Sequence, residues 1–157
     1  MATLSVSSKD YIRAYKGGRT ESFKEEASQT YKLGAVLVQD ATTKDEVEEA
    51  GADPTTLIVG IALSDASGTA DTAQLVALAE PGTEFVARVQ DGGTLAVANV
   101  GTNYGLVKDS TNNIWRVDLS DTTNVNVTVT GLVDPVGDVN GRVRFQFLAS
   151  ARGQFKG

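Results

Sequence analysis

Residues 124–150, NVNVTVTGLVDPVGDVNGRVRFQFLAS, decide the class of fold. Val125, Val127 and Val129 alternate with Asn124, Asn126, Thr128 and Thr130, a period of two that places one row of side chains on each face of a strand. Val143, Phe145 and Phe147 resume the pattern after Asn140-Gly141, a pair that accepts the positive φ angles of a tight hairpin turn. The stretch therefore predicts two antiparallel strands joined at a two-residue turn. It holds no acid, base and nucleophile set out for chemistry.

The same grammar runs upstream. TEFVARVQ (83–90) alternates, with Phe85, Ala87 and Val89 on one side, and DGG (91–93) marks a turn into a further apolar strand, TLAVANV. YGLVKD leads through STNN to IWRVDLS, where Ile114, Arg116 and Asp118 lie opposite Trp115, Val117 and Leu119. TLIVGIAL (56–63) is continuously apolar between turn signals, as in a strand buried on both faces. In YKLGAVLVQD, Leu33, Ala35 and Leu37 share a face, whereas TAQLVALAE fits strand or helix until Pro81-Gly82 stops it. The acidic run TTKDEVEEAGADPTT (42–56) reads as a surface excursion, weakly helical at best. About eight short strands at this spacing predict an all-β barrel or sandwich over residues 31–157.

Residues 1–30 are rich in Ser, Thr, Lys and Glu and carry no long periodic face. They read as an extended N-terminal arm, with at most a short helical turn near ESFKEEA. Tyr11, Ile12, Tyr15 and Phe23 stand out in that polar context. They either pack back on their own domain or anchor the arm in a partner's groove.

Composition narrows the function. A chain of 157 residues can bury roughly two thirds of its unfolded surface and needs no staple. It has no cysteine, which removes disulfides, zinc ribbons and thiol nucleophiles, and no histidine, the commonest metal ligand and neutral-pH base. The net charge is −6, with six bases against four acids in residues 1–32 and Arg142, Arg144, Arg152 and Lys156 without an acid in residues 142–157. Basic ends on an acidic body suit docking to a protein, and the acidic middle repels nucleic acid. No apolar run is long enough to span a bilayer, and the N-terminus lacks the pattern of an export signal, which predicts no membrane partner.

Tests for chemistry return structural readings. There is no GxxxxGK phosphate loop. The acids Asp45, Glu46, Glu48, Glu49 and Asp53, and the shorter set Asp65, Ser67 and Asp71, lack the spacing of a calcium loop. A serine nucleophile would need a lysine base, and no Ser-x-x-Lys stands between a strand and a helix. A carboxylate pair is possible in principle, but nothing nominates one. Trp115, the sole tryptophan, reads as a core anchor rather than a sugar platform, because Val117 and Leu119 share its face. Asn126-Val-Thr128 fits a glycosylation acceptor and reads as a strand face. No enzyme activity, cofactor or metal is expected.

In their order, YKLGAVLVQD, LIVGIALSDASG, EPGTEFVARV, NNIWRVDLS and GLVDPVGDVNGRVRFQFL resemble the head decoration, or capsid cement, proteins of tailed bacteriophages. The resemblance spans residues 31 to 148 and does not place the acidic insert at 42–54. It implies a small β-tulip-like barrel or sandwich on the exterior of a virion capsid, a homotrimer that clamps adjoining major capsid protein subunits. The arm would share in that clamp through Tyr11, Ile12, Arg13, Tyr15, Arg19 and Phe23, and removing residues 1–26 would leave a folded oligomer that no longer holds capsids. A carbohydrate-binding or host-adhesion module of a phage tail or fibre is the alternative.

Overall fold

The computed structural model describes residues 9–51, 54 and 57–153. Residues 1–8 of the expected arm, Asp53, and Lys156 lie outside the described residues. Eleven strands form: β1 (Arg13–Lys16), β2 (Thr20–Glu25), β3 (Val36–Gln39), β4 (Glu46–Glu49), β5 (Ile58–Ala62), β6 (Ala73–Leu78), β7 (Glu84–Arg88), β8 (Asn103–Asp109), β9 (Ile114–Asp118), β10 (Val127–Leu132) and β11 (Arg142–Phe147). They make a closed barrel in the order β2-β4-β3-β5-β6 and a six-stranded sheet in the order β1-β7-β11-β10-β8-β9. The fold is all-β, as the alternation predicts.

Closure explains the barrel's composition. All five residues of β5 are buried, and Ile58, Val59, Ile61 and Ala62 belong to the shared apolar core. Gly60 lets β5 approach β6 closely: a Cβ there would stand 2.0 Å from the Ala77 carbonyl oxygen. In the sheet, Val127 and Val129 of β10 face Phe147 and Phe145 of β11, and Phe85, Phe145 and Phe147 pack with ring centroids 5.3 to 5.7 Å apart. Thr128 and Thr130 take the opposite, half-buried face.

One apolar core joins the two sheets, and polar bonds pin the seam. Glu49 of β4 accepts from Lys108 Nζ at 2.6 Å and from Trp115 Nε1 at 3.0 Å, residues level with each other on β8 and β9. Asn126 Nδ2 donates to the Pro54 carbonyl at 2.6 Å, while its Oδ1 accepts from Leu106 N–H at 3.0 Å. Asn126 is fully buried just before β10, so the acceptor side chain of the glycosylation-like triplet is closed off from solvent.

Several expectations are corrected. The arm enters the fold: β1 pairs with β7, and β2, read as polar arm with a helical turn, pairs with β6 through five residues and with β4. Deleting residues 1–26 would therefore open the barrel rather than free a strap. The polar composition of β2 misleads because only Phe23 and Glu25 point inward. The acidic insert contains β4, in which Glu46 and Val47 are buried and Glu48 and Glu49 half-buried, so its acids are not a surface excursion. TLAVANV forms no strand: Thr94 makes a single bridge to Val139 and Val97–Asn99 coil into a 3-10 turn, so DGG closes a tight turn without joining two strands. The β10–β11 connection is not a two-residue turn but residues 133–141; Asn140 takes φ 58°, yet the reversal is made at Pro135–Gly137, where Asp138 N–H bonds the Pro135 carbonyl.

Candidate binding surfaces

The six residues expected in a capsid-contacting arm do not form one surface. Ile12 (2% exposed) and Phe23 (6% exposed) are core residues, which is the packing-back alternative. Tyr11 is half-buried beside Gly34. Arg13 and Tyr15 are exposed on β1, and Arg19 is exposed and bonds Glu80 Oε1 through Nε at 2.8 Å and Nη2 at 2.5 Å.

A cavity of about 550 Å³ opens beside that ion pair. Its floor is apolar, from Phe23, Val59, Leu78 and Ala79, and its rim carries Arg19, Glu21, Glu80 and Arg152. Of its two lining carboxylates, Glu21 and Glu80, the latter is ion-paired with Arg19.

The buried polar groups serve the frame. Glu25 is fully buried and accepts from Ser67 N–H, Ser67 Oγ, Gly68 N–H and Gln74 Nε2 at 2.7 to 3.0 Å. Burial opposes its charge, but these four donors outweigh burial and hold the carboxyl below its usual range. A carboxylate held that way is a poor base for the Ser67 hydroxyl; the pair ties the loop after β5 to β2. Tyr31 is pushed up in pKa by burial and by the charges of Glu25 and Glu49, so its phenol stays protonated. Arg116 of β9 is buried, donates to the Val89 carbonyl at 3.2 Å and lies 3.5 Å from Asp109. Around β4, Glu46 and Glu48 are raised by burial and by neighbouring acids, among them Asp40 and Glu26. Among the described residues no three His, Cys, Asp or Glu side chains form a metal-holding group, and no helix is long and apolar enough to cross a membrane.

Two surface features escaped the sequence reading. Val97 (73% exposed), Val100, Val133, Val136 (57%) and Val139 (59%) project from loops 94–101 and 133–140. Those loops are laced together by Leu95 N–H to the Asp138 carbonyl and Gly137 N–H to the Leu95 carbonyl, at 2.9 and 2.8 Å. Valines inside a Pro- and Gly-bearing turn region were the available signal. The second feature is Arg144 of β11, which reaches across β7 to lie over the Tyr15 ring, 5.3 Å from its centroid. No spacing in the sequence links residues so far apart.

No protein-family model matches the chain, and no curated protein matches it at a significant level.

Proposed function

We propose that the chain is a structural virion protein that binds the exterior of a tailed-phage capsid as a homotrimer and stabilises the expanded shell by bridging major capsid protein subunits. The observation that carries this reading is the valine tip. Monomeric surfaces rarely gather strongly exposed aliphatics on two cross-bonded loops, and such clusters mark protein contact sites. A rigid barrel and sheet with one core supplies the stiff spacer that a bridge between subunits requires. Binding only the expanded shell stabilises it by RT ln(1 + [L]/Kd) per site, and many copies sum the effect. The glycan-binding alternative loses its expected platform, because Trp115 is 1% exposed and bonded to Glu49.

The test uses expanded shells stripped of decoration, mixed with the full chain and separated by sedimentation. Wild-type protein is expected to co-sediment and raise the shells' melting temperature, and a Val136→Asp, Val139→Asp double variant that still folds is expected to do neither. Equal binding by that variant, or no binding by wild type, overturns the reading.

A further inference from the structure

We propose that the free edge of β1, with Arg13, Tyr15, Lys16 and Arg144 beside it, is a docking site for an extended acidic segment of a partner protein. β1 is the outermost strand of its sheet, pairs only with β7 among the described residues, and is exposed at all four positions. Its outward row of backbone N–H and C=O groups is a template for one more strand.

Short, charged edges commonly serve to repel other strands. Here the charges are organised instead. Arg13 and Arg144 are both level with Val86 of β7, so they flank it in one row across the outer face of the sheet. Arg144 is held in place from two sides. Tyr15 lies against its guanidinium, and Gly131, where a Cβ would stand 2.1 Å from Nη2, leaves the space it occupies. Yet its Nε is buried without an acceptor, and no carboxylate pairs with it among the described residues. The next row contrasts with this: Arg88 is paired with Asp10, and Arg142 with Asp134 at 2.8 Å. Arg13 and Lys16 also carry no ion pair among the described residues, and Glu84, level with Lys16, is the acid closest to them in register.

A positioned guanidinium without a carboxylate partner is a receptor for one, and with Nε buried against Gly131 the terminal Nη donors are the ones that would meet it. Tyr15, 54% exposed, adds an aromatic contact at the same place. The occupant that satisfies edge, charge and ring together is a strand with acids at alternate positions, whose backbone pairs with β1 and whose carboxylates meet Arg13 and Arg144. This inference does not depend on a capsid being the partner.

The probe is a fluorescein-labelled eight-residue peptide alternating glutamate with valine or threonine, titrated by anisotropy against the full chain. Comparators are its lysine counterpart, the same acidic peptide N-methylated at alternate amides, and inorganic phosphate as competitor. The acidic peptide is expected to bind, the lysine and N-methylated forms to bind at least tenfold more weakly, and phosphate at matched ionic strength to leave it bound. Arg13→Glu and Arg144→Gln are each expected to weaken it by about tenfold with the fold intact by circular dichroism. Should Arg144→Gln disturb folding, exposed Arg13→Glu carries the test alone. The proposal is overturned if wild type does not bind the peptide, if folded Arg13→Glu binds it unchanged, if the N-methylated peptide binds equally, or if phosphate displaces it, which would reveal a simple anion site.

Discussion

Replacing Gly60 by alanine is expected to cost about 3 kcal/mol of stability. The added Cβ would meet the Ala77 carbonyl oxygen at 2.0 Å, and the Ala77 carbonyl carbon and Val76 Cγ1 at 2.9 Å, against an ordinary contact of 3.4 to 4 Å. Relief requires β6 to retreat from β5 by more than an ångström. The pairs at risk are Gly60 with Leu78 and Ile61 with Ala77, along with the Ala79 N–H to Val59 carbonyl bond of 2.9 Å. In an open sheet an edge strand could shift outward, but β6 is held on its other side by five register pairs with β2. Weakening about two ladder bonds at ~1 kcal/mol each, with ~1 kcal/mol or more of overpacking, gives the figure. At 2–4 °C per kcal/mol for a chain of this size, the melting temperature should fall by about 10 °C. Urea unfolding followed by the fluorescence of Trp115, with calorimetry, measures it. Gly51→Ala is the control, because nothing among the described residues lies within 4 Å of its Cβ, and should change stability by under about 0.5 kcal/mol. If Gly60→Ala melts with the control, closure of the barrel does not demand glycine there and the reasoning fails.

Two further predictions concern the buried carboxylates. Glu25→Gln presents an amide where four donors converge and should cost about 3 kcal/mol at neutral pH. Because the folded-state pKa of Glu25 is lowered, its stabilisation is present above the unfolded value near 4.5 and is lost as pH falls through the folded value. The gap between wild type and variant should thus narrow below about pH 4.5 in denaturant titrations; a gap independent of pH would show that charge is not what the donors hold. Glu49→Ala strips Lys108 and Trp115 of their shared acceptor and should cost about 3 kcal/mol while shifting Trp115 emission to the red. An unchanged emission maximum would mean that the seam holds without this network.

The amino-acid order alone determined the β class, the buried strand β5, the β8–β9 hairpin and the strands β10 and β11. Period-two alternation is a local property, and Val127, Val129, Val143, Phe145 and Phe147 carry it within their own segments. Absent cysteine and histidine likewise narrowed the chemistry without any coordinates. Tertiary structure decided the rest. Polar β2 and acidic β4 are strands because barrel closure supplies their hydrogen bonds and needs only Phe23, Glu25 and Val47 inside, too few to register as a pattern. Glu25 is anchored by Ser67, Gly68 and Gln74, Glu49 by Lys108 and Trp115, and Tyr15 meets Arg144 across β7. Each of those contacts joins groups that periodicity treats as unrelated, since the free energy of burying and pairing them exists only once the chain has brought distant strands together.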